Sequence, residues 1–69
     1  MAKDFMPKIN DTIRLLKALP DEALPVGSIG VIVEEFRAPH EAYEIEFCDK
    51  NGATIAQVAL RPDDFSVVN

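Results

Sequence analysis

The sequence predicts a small, mostly β domain, and three observations lead to this prediction. The stretch Ala42–Leu60, AYEIEFCDKNGATIAQVAL, alternates apolar and polar residues on both sides of an Asn-Gly pair, which is typical of a β-hairpin. The run Ile29–Phe36, IGVIVEEF, is rich in β-branched residues. With 69 residues, 48% of them hydrophobic, the chain has the size and composition of one folded domain with a thin core.

The N-terminal part of the chain is predicted to hold an arm and a first strand. Residues 1–10 mix charge, Met and Pro without a clear period, and we predict a flexible arm with Phe5 or Met6 packed against the body. In Asp11–Leu19, DTIRLLKAL, the apolar residues fit helical spacing as well as alternation, so a helix is the alternative. The proline that follows ends the run early, which favours a strand. The folded domain is then expected over residues 11–69.

A loop and a second strand follow. Pro20–Ser28, PDEALPVGS, contains two prolines and a glycine, so we predict a loop with one short helical turn. Leu24 and Val26 are its expected anchors to the core. The strand Ile29–Phe36 has a glycine at its second position, Gly30, which indicates either a positive φ or a close approach of backbone.

The segment Arg37–Glu41, RAPHE, is predicted to be a connector, because a proline cannot donate to a central strand ladder. After it, the hairpin can be placed in register. With Asn51 and Gly52 at the centre of a type I′ turn, one face pairs apolar residues throughout: Tyr43 with Leu60, Ile45 with Val58, and Phe47 with Ala56. The other face pairs Glu44 with Ala59, Glu46 with Gln57, and Cys48 with Ile55. A three-residue loop with a glycine bulge is the alternative and would shift these pairings.

The C-terminal segment predicts a tight turn and a last strand. Arg61–Phe65, RPDDF, reads as a single 3-10 turn, with Phe65 returning to the core and Ser66–Val68 closing the sheet. Five short strands, a long loop after the first and a 3-10 turn before the last are the pattern of a five-stranded SH3-like barrel. Closing the sheet would remove most of the exposed strand edge.

Several of these segments resemble a known family. The runs DTIRLLKALP, LPVGSIGVIVEEF, YEIEF, DKNG and LRPDDF are similar to small bacterial proteins grouped as domain of unknown function 4926, over roughly Asn10 to Val67. Similar strand and glycine patterns occur in the barrel of nitrile hydratase β subunits and in KOW-type domains. The resemblance implies the fold and carries over no catalytic residue. An immunity or antitoxin-like role is the expectation that it adds.

Composition narrows the classes of function. Twelve acidic residues against seven basic ones give a net charge of −5, the opposite of the basic stripe that nucleic-acid binders present, so nucleic acid is an unlikely partner. Cys48 is the only cysteine, which excludes an internal disulfide. The N-terminal residues contain no long apolar run. We therefore expect a cytoplasmic protein without a membrane partner.

No residue combination predicts catalysis or metal binding. His40 has no second histidine near it, and His40, Glu41 and Cys48 lack any known ligand spacing. Glutamates on an exposed strand lack the protected cleft that general acid–base catalysis requires. The sequence thus predicts no catalytic residue, no metal and no cofactor.

The strands predict a candidate binding surface, and an ordinary solvated sheet surface is the alternative. Glu34, Glu35, Glu44 and Glu46 are expected to gather on neighbouring strands as an acidic face. Apolar residues not used by the predicted core, Leu16, Phe36 and Ile55, are expected beside it, and an apolar centre with a charged rim is how interfaces look. The predicted partner-binding residues are Glu34, Glu35, Phe36, Glu44, Glu46 and Ile55.

The sequence hypothesis is accordingly a non-catalytic protein–protein interaction module that binds a basic or mixed partner, as an antitoxin, an immunity protein or an enzyme accessory protein would. One alternative is a KOW-like small barrel that binds nucleic acid. The other is an accessory subunit similar to the nitrile hydratase β barrel. Homodimer formation is a further option, as is the addition of a partner strand at an unpaired edge.

Overall fold

The computed structural model describes residues 6–68, so Phe5 lies outside the described residues. Met6, the other residue predicted to pack against the body, is 50% exposed. Five strands and two 3-10 turns make up this part of the chain. The strands are β1 (Thr12–Leu15), β2 (Ile29–Phe36), β3 (Ala42–Cys48), β4 (Thr54–Leu60) and β5 (Phe65–Val68). The 3-10 turns are Pro20–Glu22 and Pro62–Asp64.

All strand pairs are antiparallel, and the strands form one sheet in the order β4-β3-β2-β1-β5. The predicted mostly β class, the five strands and the 3-10 turn before the last strand are confirmed. Within residues 6–68, no strand pairing joins β4 to β5. The five strands form an antiparallel sheet whose inner side holds the core, and closure into an SH3-like barrel stays a prediction.

The first strand is shorter than predicted, and the helical alternative for it is wrong. Ile13 and Leu15 are fully buried, whereas Arg14 between them is exposed, which is the alternation of a strand. The strand ends because the next backbone partners belong to the loop. The Leu15 N–H donates to the Ser28 carbonyl at 2.9 Å, and the Gly27 N–H donates to the Leu15 carbonyl at 2.9 Å.

The loop before β2 has one anchor rather than two. Leu24 is buried and forms an isolated bridge with Leu19. Val26 is 63% exposed, so its predicted anchoring role is wrong. The reason is a tight turn: the Ser28 N–H donates to the Pro25 carbonyl, and this places Val26 at the tip of the turn, away from the core.

The hairpin register is confirmed for the core, and the turn is the three-residue loop given as the alternative, not the type I′ turn. Asp49 and Ala53 close a three-residue loop through the Asp49 N–H and the Ala53 carbonyl at 2.9 Å, and Gly52 has a φ of 87°. The Asp49 carboxylate also accepts from the Asn51 and Ala53 N–H groups, which favours this loop. Cys48 then pairs with Thr54, so its predicted pairing with Ile55 is wrong.

A β-bulge explains why the longer loop leaves the core register unchanged. Between Cys48–Thr54 and the next pair, Phe47–Ala56, β4 contains one residue more than β3. Ile55 is that extra residue, and it restores the register that the three-residue loop would otherwise shift. The remaining pairs, Ile45 with Val58 and Tyr43 with Leu60, are those that inward-facing apolar residues predict.

The core is formed by inward-facing strand residues and one loop residue, Leu24. Tyr43 and Phe65 meet edge to face, with ring centroids 5.7 Å apart and planes at 88°. Phe65 is therefore in the core, as predicted. Among residues 6–68, the buried apolar residues are Ile13, Leu15, Leu24, Ile32, Tyr43, Ile45, Phe47, Ala56, Leu60 and Phe65.

The second 3-10 turn positions Phe65 through Asp64. The Asp64 carboxylate accepts from the Arg61 N–H at 3.0 Å, and the Asp64 N–H donates back to the Arg61 carbonyl. The Lys17 ammonium lies 3.2 Å from the same carboxylate. Burial acts to raise the pKa of Asp64, but the Arg61 N–H and the Lys17 ammonium outweigh it and hold the pKa below its usual value.

Candidate protein-binding face

A second β-bulge, in β2, decides which glutamates share the outer side of the sheet. Ile32 pairs with Ile45 on the inner side, and after the extra residue Val33, Glu34 pairs with Glu44. Without the bulge, Glu34 would stand opposite the buried Tyr43. The bulge therefore moves Glu34 to the outer side, directly opposite another carboxylate.

Glu46 extends this group along β3. It pairs with Val31 on one side and with Gln57 of β4 on the other, and its carboxylate accepts from the Thr54 hydroxyl. Glu34, Glu44 and Glu46 thus lie on the outer side of two neighbouring strands, as the sequence predicted.

Glu35 is not part of this group. It pairs with Tyr43, whose side chain is in the core, so it lies on the opposite side of the sheet from Glu34. Its carboxylate lies 3.4 Å from the Arg37 guanidinium. The prediction that Glu35 belongs to the acidic face does not match the register, because the pattern of the sequence gives no sign of the bulge.

None of the three outer glutamates forms an ion pair within residues 6–68. The ion pairs in that part of the chain are Lys17 with Asp64 and Arg37 with Glu35. Two like charges directly opposite on neighbouring strands destabilise a sheet, by an amount in the range of about 0.2–1 kcal/mol that cross-strand pairs contribute. Glu34 and Glu44 form such a pair.

Exposed apolar side chains accompany the glutamates. Phe36 is 42% exposed at the end of β2, opposite Ala42, and Ile55 is 54% exposed at the bulge of β4. Leu16 is also exposed, but its N–H donates to the Asp64 carbonyl beside the second 3-10 turn. Phe36 therefore lies on a strand that carries a glutamate, Ile55 lies on the neighbouring strand β4, and Leu16 lies elsewhere.

Two residues of this face were not predicted from the sequence. Ile29 and Val31 are 50% and 37% exposed on the outer side of β2, and Val31 stands beside Glu46. The run IGVIV reads as a strand buried on both sides. The usable signal was the alternation around Gly30 and Ile32, both buried, which leaves Ile29 and Val31 facing outward.

A separate cluster lies on the inner side near the connector before β3. The Tyr43 hydroxyl donates to the Glu41 carboxylate, which links the connector to the core. Burial, this hydrogen bond and the negative charges of Glu41 and Glu35 raise the pKa of Tyr43 to about 12, with a smaller opposing effect of Arg37. The interactions in this cluster favour the protonated form of the Tyr43 hydroxyl.

The raised pKa of Tyr43 predicts a loss of stability at high pH. The folded state favours the neutral phenol. The contribution of Tyr43 to the free energy of unfolding is therefore fully present below the ordinary pKa of 10.0, and it is lost as the pH rises toward about 12. The loss is on the order of 2 kcal/mol. Tyr43 is the only tyrosine and the chain has no tryptophan, so tyrosinate absorbance reports this single group.

The control for this measurement is Tyr43→Phe. Its free energy of unfolding is expected to lack the part of the alkaline decline that the wild-type chain shows between these two pH values. A tyrosinate midpoint near 10 in the folded protein would contradict the prediction.

The remaining candidate residues do not come together. His40 precedes β3 and Cys48 ends it, so the length of a seven-residue strand separates them, and both are exposed. Across the described part of the chain, no three His, Cys, Asp or Glu residues are grouped as a metal site. No helix in residues 6–68 is long and apolar enough to span a bilayer.

Comparison with known proteins matches the chain to a family of unknown function. The family model described as "Domain of unknown function (DUF4926)" matches residues 9–67. No curated protein and no solved structure matches the chain. The matched range covers all five strands and both 3-10 turns up to Val67.

Proposed function

The chain belongs to DUF4926, a family described as a domain of unknown function, and from that premise we propose that it is a non-catalytic protein-binding module. The partner docks on the outer side of β2, β3 and β4 and carries basic and apolar groups. We define the docking face by seven residues: Ile29, Val31, Glu34, Phe36, Glu44, Glu46 and Ile55.

The observation that carries the proposal is the pairing of Glu34 with Glu44. Two carboxylates stand directly opposite each other on the outer side of the sheet, and Glu46 lies two residues along β3 from Glu44. None of the three belongs to an ion pair within residues 6–68. A lysine or arginine of a partner placed between these carboxylates would remove their repulsion on binding, so the arrangement favours a cationic surface.

The apolar residues supply the second element of an interface. Val31 stands next to Glu46, and Ile29, Phe36 and Ile55 are each about half exposed. Apolar side chains on a monomer's surface contribute to affinity when a partner covers them, whereas rim charges mainly set association rate and partner choice. The docking face combines both kinds of residue on three neighbouring strands.

The charge also indicates the class of partner. With a net charge of −5 and three carboxylates on this face, nucleic acid phosphates would be repelled, whereas a basic protein would be attracted. A basic toxin or a basic surface of an enzyme has the required chemistry, which corresponds to an antitoxin-like, immunity-like or accessory role.

Charge reversal on the docking face tests the proposal. The change is Glu44→Lys with Glu46→Lys, and the matched control is Asp21→Lys with Glu22→Lys, two exposed acidic residues of the first 3-10 turn. Both double variants change the net charge equally. We expect the control to capture the same basic protein as the wild-type chain from nuclease-treated lysate of the producing cells. The docking-face variant should lose that protein by at least tenfold.

Thermal unfolding of all three proteins gives the fold control. The Lys substitutions relieve the Glu34–Glu44 repulsion, so they should leave the melting temperature near that of the wild-type chain. Equal capture by the docking-face variant and the control would contradict the proposal. Capture that occurs in untreated lysate and is absent from the nuclease-treated lysate would instead favour the KOW-like alternative.

A further inference from the structure

The outer edge of β4 is unpaired, and its sequence carries few of the features that block strand pairing. Within the described residues, β4 pairs with β3 alone. An edge strand presents a row of free backbone N–H and C=O groups, which natural proteins protect with short length, lysine, proline, inward charges or bulges. β4 is seven residues long, TIAQVAL, and contains no charge, proline or glycine. Its edge is open to a further strand.

The two edges of the sheet differ in how much regular strand they offer for pairing with a further strand. β5, at the opposite edge, has four residues, and its short length limits the pairing it can offer. The protective feature of β4 is the bulge at Ile55, which disturbs only the beginning of the strand. The segment Ala56–Leu60 pairs with β3 without irregularity and therefore presents a regular edge.

We propose that this edge pairs with the same edge of a second copy of the chain, giving a symmetric dimer with antiparallel β4 strands centred on Val58. In this register Val58 faces Val58 of the second copy, Gln57 faces Ala59, and Ala56 faces Leu60. Each residue on one copy meets its counterpart on the other, so the contact closes as a two-fold dimer and does not continue into a filament.

Side-chain chemistry supports a second copy as the occupant. Val58 is half-buried at the margin of its own core, and a β-branched partner directly opposite would complete its burial. Every other facing pair joins a small residue, alanine, to a larger one. An uncharged edge offers neither a basic nor an acidic foreign segment an ion pair, whereas β4 itself is an uncharged strand of matching length.

The acidic charge of the chain does not oppose this contact. Gln57 and Ala59 pair within the chain with Glu46 and Glu44, which therefore lie one strand inside the edge. In the dimer, glutamates of the two copies would be three strand spacings apart, about 14 Å. This distance exceeds the Debye length of about 8 Å at physiological ionic strength, so the repulsion is largely screened. Both docking faces would lie on the same side of one continuous sheet.

Sedimentation velocity on the purified full chain, at concentrations up to about 1 mM, tests the inference without any partner. The test variant is Gln57→Lys with Ala59→Lys. In the monomer the new ammonium groups lie beside Glu46 and Glu44, but in the dimer they face each other twice across the contact. The matched control, Asp21→Asn with Glu22→Gln, raises the net charge by the same amount.

We expect the wild-type chain and the control to form dimers with the same dissociation constant, and the test variant to dimerise at least tenfold more weakly. Amide exchange supplies a second measurement on the wild-type chain: alternate N–H groups of Ala56–Leu60 should gain protection as concentration rises. A wild-type chain that stays monomeric, a test variant that dimerises like the control, protection confined to other strands, or mass that grows beyond the dimer would each overturn the inference.

Discussion

Phe47→Ala is expected to unfold most or all of the protein, whereas the same substitution at Phe36 is expected to leave its stability nearly unchanged. Phe47 is 1% exposed on the inner side of β3, while Phe36 is 42% exposed at the end of β2. Truncating a buried phenylalanine costs about 3–5 kcal/mol. A domain of 69 residues has a total stability of about 3–10 kcal/mol, so this loss is comparable to the whole.

Urea unfolding followed by circular dichroism measures both variants, with Phe36→Ala as the control for loss of an aromatic ring. The expected change for Phe36→Ala is within about 0.5 kcal/mol, as for surface substitutions in general. Similar losses for the two variants would show that Phe36, and not only Phe47, is part of the core. Phe36→Ala should still weaken partner capture, because Phe36 belongs to the proposed docking face.

The inner side of the sheet could be predicted because burial imposes a strict alternation. Tyr43, Ile45 and Phe47 recur at every second position of β3, and only one register places them all opposite apolar residues of β4. Burial therefore determines the register of β3 and β4 even where the turn that joins them differs from the preferred type. The chain forms the three-residue loop that was the alternative to the preferred two-residue turn, and the bulge at Ile55 returns the strands to the register that burial requires.

The bulges themselves could not be predicted, since one extra residue in an apolar run does not change the sequence pattern of that run. In IGVIVEEF, the residues on either side of Val33 fit a regular strand, and a regular strand would place Glu34 inward and Glu35 outward. The bulge reverses both orientations, so that Glu34 lies on the outer side and Glu35 on the inner side. The turn type was missed for a similar local reason: the Asp49 carboxylate accepts two N–H groups of the loop and competes with the Asn-Gly signal.

The docking face was only partly predictable from the sequence. Glutamates in an alternating strand point outward on any reading, so Glu44 and Glu46 were found. Ile29 and Val31 were missed because a continuous apolar run is read as a strand covered on both sides. Within the described residues β2 is covered on its inner side only, and its outer apolar residues are therefore exposed.

Gly30→Ala is the second substitution with a large expected effect, and here the direction of the change is the test. In the interior of a strand, alanine is normally more stabilising than glycine by about 0.5–1 kcal/mol. At Gly30, however, a Cβ would lie 2.7 Å from Ile45 Cγ2 and 2.9 Å from the Phe47 ring, and both side chains are buried. Forcing extra atoms into a packed core costs about 1–3 kcal/mol.

The expected result is therefore destabilisation by at least about 1 kcal/mol, measured by the same urea unfolding. Gly30→Ala combined with Ile45→Ala provides the control, since removing the Ile45 Cγ2 atom removes the shortest contact of the new Cβ and leaves only the one with the Phe47 ring. The cost of Gly30→Ala should be smaller in that background than in the wild-type chain, because the two positions are in contact. Stabilisation by Gly30→Ala alone would mean that β2 and β3 do not approach as closely as the core packing requires. In that case the outward orientation of Val31 and Glu46, which depends on the same register, would also be in question.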